Sequence, residues 1–153
     1  MNEAIFTSAS LLAVAAWCSL AFALLVPPGT VRSRLLGVAG RYVPLLLCAL
    51  YTCLLSANWG TAPDGSFASL QGVSNLFAVA EKLLGGWIHF LAFDLLIGRA
   101  VIDHGLARGV PRLLLLAILP VLFLYAPAGV MVYLLTGCLW QFGGRWRRGS
   151  QQT

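Results

Sequence analysis

Four apolar runs, approximately residues 4–26, 42–58, 76–102 and 112–139, occupy most of this chain and limit what it can fold into. A hydrocarbon core of about 30 Å takes about 20 apolar residues to cross as a helix. Without water, only helices and closed barrels satisfy every backbone N–H and C=O, and runs of this length are too long for barrel strands. The chain therefore reads as all-α, an integral membrane four-helix bundle. The second run is short for a crossing and depends on tilt and docking. The last run carries Pro120 and the turn Ala126-Pro127-Ala128-Gly129, so it reads as a Pro/Gly-kinked helix. At 153 residues, 59% hydrophobic and 10% charged, the chain has no length left for a separate soluble domain. Residues 1–153 form a single polytopic membrane domain, with a basic tail over 140–153.

The charge pattern suggests an orientation. Met1-Asn2-Glu3 is acidic and the apolar run behind it is long, unlike a cleaved signal with a basic start. Arg32, Arg34 and Arg41 follow the first run and place the first loop in the cytoplasm. The loop Asn58–Ser74 contains Asp64 but no Lys or Arg, so it reads as exterior. Arg99, Arg108 and Arg112 mark the third connection as cytoplasmic again. Arg145, Arg147 and Arg148 conflict with this pattern, because four full crossings put the tail outside. Either the last run does not cross as one straight helix, or late charges are overruled by early ones; the reading adopted is four spans with a kink.

The net charge of +5 does not indicate nucleic-acid binding. Its arginines lie at loop ends, as the positive-inside rule requires, and the tail Trp140-Gln-Phe-Gly-Gly-Arg-Trp-Arg-Arg reads as an interfacial anchor. Cys18, Cys48, Cys53 and Cys138 lie inside apolar runs without C-x-x-C spacing and read as inert buried thiols.

The third run departs from the others. The stretch Asn75–Asp103 around it holds Glu81, His89, Asp94, Arg99 and Asp103, although insertion scales charge an Asp, Lys or Arg at mid-membrane about 2.5–3.5 kcal/mol. Read as one helix from Asn75, at about 100° per residue, it gathers Glu81, Gly85, His89, Arg99 and Asp103 within an arc of roughly 80°. Asn75 and Lys82 lie near the edge of that arc, and Asp94 projects from the opposite side with Trp87 and Gly98. Gly85 and Gly86 let another helix or a flat ligand approach the backbone. Arg99 and Asp103 are spaced for a salt bridge at the membrane edge, Lys82 for snorkelling. Asp94 has a packing alternative, a hydrogen bond to Tyr51, Ser56 or Tyr133 on another helix, and Arg41 is a second candidate partner for Asp103. Glu81 and His89, two turns apart, are the best candidates for acid–base chemistry, and intramembrane ionisable groups are functional candidates by default.

The string N-x-F-A-x-A-E-x-L-L-G-G-W-I-H-F-L-A-F-D-L-L-I-G-R, Asn75 to Arg99, resembles the core of the abscisic-acid-deficient four-like membrane family. So do Asp103, Pro111, Pro120 and the Pro127-x-Gly129 turn before Tyr133. The resemblance covers roughly residues 40–138. Ala126 stands where the family tends to have Gly. Plant members are implicated in forming neoxanthin, an allenic carotenoid, from the epoxide violaxanthin. The resemblance thus implies a cofactor-independent isomerase acting on a carotenoid or other isoprenoid lipid. Catalytic groups would be drawn from Glu81, His89 and Asp94, with Asn75, Gly85, Gly86, Trp87, Arg99 and Asp103 binding substrate. An acid opens the oxirane and a base removes a nearby proton; a carboxylic acid kept neutral by burial and a neutral His89 suit these roles. Nine Arg against one Lys, short loops and the absence of a transit peptide suggest a bacterial member in the inner membrane.

Two other classes stay open. One is a non-catalytic pigment- or lipid-binding subunit, or an assembly factor in a larger membrane complex, in which the polar stripe holds an end group or a partner helix. The other is a proton or ion pathway, which needs a homo-oligomer because each chain has one polar helix. No metal is expected, since only His89 and His104 are available and the acids of one helix do not converge on an ion.

Overall fold

The computed structural model describes the backbone of residues 1–149 and the side chains of residues 1–137. The anchor reading of Trp140–Arg148 and the thiol of Cys138 lie outside the described side chains. Among the described residues all regular secondary structure is helical, in the order α1 (Asn2–Leu25), α2 (Thr30–Gly37), α3 (Val43–Ala57), α4 (Leu70–Phe77), α5 (Ala80–Ala107), α6 (Arg112–Leu124) and α7 (Ala126–Gly149).

Among the described residues three rods are long and apolar enough to cross a membrane: Asn2–Leu25, Thr30–Ala57 and Ala80–Ala107. The middle rod begins twelve residues before the apolar run at 42–58, so Arg32, Arg34 and Arg41 lie on helix rather than in a loop. Arginine is a good helix former, and hydropathy alone cannot see a helical extension that carries charge. One π turn, Val38–Tyr42, joins α2 to α3. Pro44 explains it: its ring has no N–H and clashes with the carbonyl four residues back, so the helix widens by one residue there.

Helix α5 is the axis of the bundle and packs most extensively against α3 and α1. Its buried row Leu84, Ile88, Ala92, Leu95 and Ile102 repeats at helical spacing. Helix α1 answers with a small-residue row, Ala9, Ala13, Ala16 and Ala23, around Trp17 and Leu20. A Cβ on Gly98 would stand 2.6 Å from the Trp17 ring, and one on Gly85 2.8 Å from Leu55 of α3. Small residues thus let both neighbours approach the α5 backbone. The third run is not one helix from Asn75. Val79 is extended (φ −85°, ψ 120°) and separates α4 from α5, which places Asn75 on the preceding short helix.

The last run also differs from a single kinked span. Helix α6 has 13 residues, ends at Tyr125 (φ −146°, ψ 74°), and is followed directly by α7. A Cβ on Gly129 would lie 2.7 Å from Leu122 Cα. Residues seven apart in a continuous helix are about 10 Å apart, so the chain doubles back at Tyr125. Tyr133 of α7 then hydrogen-bonds His104 near the C-terminal end of α5, the same end where Leu115 of α6 covers Gly105. Helices α6 and α7 therefore form a hairpin that enters the bundle from its arginine-bearing end and returns toward it.

Gly129→Leu should destabilise this hairpin by about 1–3 kcal/mol, because the added atoms meet backbone that cannot step aside. Gly137→Leu is the control, since nothing lies within 4 Å of its Cβ position. Thermal unfolding in detergent compares the two; equal melting would remove the hairpin contact.

Candidate functional site

Three local features build a cavity at the Asn2 end of α5. Beyond Ala57 the chain leaves the helix through Gly60 in a left-handed conformation (φ 82°), and the loop then folds back over the bundle. The Ser69 hydroxyl accepts from Gly72 N at 3.0 Å and caps α4, fixing that short helix beside the start of α5. Asn75 fastens the loop, donating to the Asp64 carbonyl at 3.2 Å and accepting from Gln71 at 3.0 Å.

The cavity is partly open and has a volume of about 510 Å³. Tyr51 and Leu55 of α3, Trp59 and Phe67 of the loop, Phe77 of α4, and Lys82, Gly86, His89 and Phe90 of α5 line it. His89 and Phe90 are exposed on the flank of α5, so the cavity opens sideways as well as under the loop. The His89 ring stacks on Phe93 at a centroid distance of 4.4 Å and lies 5.5 Å from the Tyr51 ring. Its two nitrogens have no hydrogen-bond partner among the described residues. This wall thus combines a free imidazole, an ammonium and a phenol with aromatic faces. It can hold a flat apolar group and exchange a proton at its polar end.

The candidate residues separate around α5. His89 and Gly86 share the cavity. Gly86 abuts Phe77, where a Cβ would come within 2.6 Å of the ring. Gly85 serves helix packing against α3, one of the two uses its small size allows. Glu81 turns toward α1 and accepts from Asn2 Nδ2 at 2.9 Å. Trp87 also faces α1, donating to Ser10 Oγ at 3.0 Å and packing on Phe6 at 5.4 Å. Arg99 and Asp103 form the expected i,i+4 bridge, Nε to Oδ2 2.7 Å, while Arg41 is exposed. A Cβ on Gly40 would stand 2.6 Å from Arg99 Cγ, so the stem of this arginine packs on the π turn. Asp94 is half-buried on the side of Trp87 and makes no hydrogen bond among the described residues; Tyr133, one of its proposed partners, bonds His104 instead. Among the described residues no three His, Cys, Asp or Glu side chains come together in a way that could hold a metal ion.

Sequence reasoning misses the cavity's aromatic wall and the His104–Tyr133 pair. The wall draws residues from α3, the loop, α4 and α5, and the pair joins residues 29 positions apart, so no local spacing signals either one. An apolar loop offered the one hint: Trp59, Phe67 and Leu70 lie in a segment otherwise polar.

A search of curated proteins and of solved structures returns no significant match. A family model, ABA DEFICIENT 4-like, matches residues 4–133, from the first rod through α5 to Tyr133 on the returning helix. It takes in the cavity, the bridge at Arg99 and the Tyr125 turn together, and by this match the chain belongs to the ABA DEFICIENT 4-like family.

Proposed function

We propose that this chain is a multi-pass membrane protein that binds one end group of an elongated isoprenoid lipid, of the carotenoid type, and isomerises it by proton transfer at His89. The observation that carries the reading is the aromatic cavity of about 510 Å³ with an unpartnered imidazole on its wall. Family membership supports a role like that of the neoxanthin-forming relatives.

Depth favours such a ligand. His89 lies about 13 Å along α5 from Ala80 by helical rise, well inside the apolar zone, whereas Trp59 and Phe67 sit at the edge. An amphipathic end group would rest between them, and the sideways opening would leave its chain in lipid. In an epoxide-to-allene conversion, His89 takes a proton from the polyene carbon beside the oxirane. The released electron pair forms the second double bond of the allene as the ring C–O bond breaks. The oxygen is then protonated to the alcohol, by Lys82 or the Tyr51 phenol on the same wall. No atom is gained or lost, so the product has the mass of the substrate. Glu81 and Asp94 support α5 from outside this wall.

In a host making epoxy-carotenoids, expression should yield an isomer of unchanged mass by liquid chromatography and mass spectrometry. His89→Ala should abolish it, a loss of about 10²-fold or more for a proton-transfer group. Glu81→Gln should retain most of it, since its contact is with Asn2. A pigment that co-purifies without conversion would identify a binding subunit instead, and full activity in His89→Ala would defeat the assignment of the base.

The membrane arrangement has its own test. The three long rods cross the bilayer, and the α6–α7 hairpin enters and leaves on one face, which brings the arginines of the tail to the side of Arg32, Arg34 and Arg108. A reporter fused after Thr153 should therefore report the side of these arginines, and one fused before Met1 the opposite side. Both reporters on the same side would mean that the last run crosses.

A further inference from the structure

At the arginine-bearing end a positive charge is buried without an answer. Arg32 lies in the first turn of α2 and is only 8% exposed. Its Nη2 is buried and has no hydrogen-bond partner among the described residues. A guanidinium presents five N–H donors and stays charged in proteins, so leaving one buried and unsatisfied is costly. Its neighbours do not relieve it. Arg112 adds repulsion, and Asp103 is the acid that acts on it. That carboxylate is already held by Arg99 at 2.7 Å. Arg112 reaches the Val26 carbonyl, Nη1 to O 3.4 Å, a long and weak contact. Arg32 and Arg112 thus repel each other near the C-terminal ends of α1 and α5 and the start of α6, where Arg99 already holds the Asp103 carboxylate.

The backbone adds to the same potential. Gly29 caps α2 without a side-chain bond, and the rod from Thr30 runs on to Ala57. Its first free N–H groups and the positive end of its dipole therefore lie at the corner that Arg32 occupies. Arg34, Arg41 and Arg108 are exposed around this end and raise the local attraction for anions. Two forked donors and a helix start suit a phosphate oxyanion, which guanidiniums bind bidentately and helix N-termini attract.

We propose that this corner is a binding site for a phosphate group, held by Arg32 and Arg112. The group could belong to a phospholipid head or to a free phosphate, and the same chemistry serves both. The site is independent of the aromatic cavity, which lies at the opposite end of α5.

The test uses the full chain purified in maltoside and stripped of phospholipid. Melting is followed on titration with inorganic phosphate, with phosphatidylglycerol micelles, and with a glycolipid that has no phosphate. Without phosphate, Arg32→Met should melt at or above the wild type, because it removes an uncompensated buried charge. With the right phosphate source the wild type should rise above the variant and the order should reverse. The concentration giving half the shift should increase roughly tenfold in Arg112→Gln, the loss expected for one charge-assisted contact. A response to inorganic phosphate identifies a soluble anion, and a response to phosphatidylglycerol alone identifies a lipid head. Arg32→Lys keeps the charge and loses the fork; its weaker shift carries the comparison if Arg32→Met does not fold. Equal shifts in all variants, no shift with either phosphate source, or the same shift with the glycolipid would overturn the site.

Discussion

A polar group inside an apolar bundle must find a partner, and the arrangement of the other helices follows from how α5 meets this demand. Glu81 and Trp87 bind Asn2 and Ser10, which fixes the first half of α1 against α5. Arg99 and Asp103 satisfy each other within the helix. His104 reaches Tyr133 and ties the returning arm of the hairpin to the axis. Each of these contacts is worth only about 1 kcal/mol as a net hydrogen bond, yet leaving the same group unpaired costs more than that. Three ionisable groups of α5 remain without a bond among the described residues: Lys82, His89 and Asp94. Lys82 lies near the end of the helix, whereas His89 and Asp94 lie at middle depth, where partners are scarcest and where an unsatisfied group is most useful to a ligand.

In the membrane arrangement proposed above, the hairpin at Tyr125 resolves a conflict between charge and length. A final run that crossed would carry three arginines to the side that the other loops leave free of them. Folding back removes the conflict without shortening the run, because each arm needs to reach only part way. The bond from Tyr133 to His104 and the packing of Leu115 on Gly105 hold both arms at the arginine-bearing end. Trp17 and Phe123, edge to face at 5.7 Å, mark how deep the hairpin penetrates.

Local spacing carried part of this architecture into the sequence and left the rest invisible. The apolar runs located α1 and α5 to within a few residues, since burial in lipid or protein needs the same residue types. Arg99 and Asp103 were legible because an i,i+4 pair depends on one helix alone. The start of the second rod at Thr30 was hidden by its arginines, and the break at Val79 by apolar neighbours on both sides. Pro120, the obvious breaker, is accommodated within α6, while the chain turns at Tyr125, which has no breaker of its own. What enables the turn is the pair of flanking features, Pro127 at the start of α7 and the bare Cα of Gly129. Glu81 and His89 share an arc of roughly 80° by helical spacing, and an arc that wide faces two different neighbours. Glu81 meets α1 and His89 meets the loop.

The two ends of α5 then present opposite chemistry on one rigid element. At the Asn2 end the wall is aromatic, with a neutral or singly charged polar set suited to a flat lipid end group. At the arginine-bearing end the potential is strongly positive, and Arg32 buries a guanidinium nitrogen that has no hydrogen-bond partner among the described residues. Opposite polarity of this kind suits a protein that must hold its position in depth. An anion bound at Arg32 would fix the register of α2, α3 and α5 against the headgroups of one leaflet. That register in turn sets the height of His89 in the opposite half. The Gly40–Arg99 contact at the π turn is the mechanical link, because it joins the arginine cluster directly to the rod that carries Tyr51. A shift of one helical turn, about 5 Å, would move the imidazole past the polar end of any ligand resting at the loop.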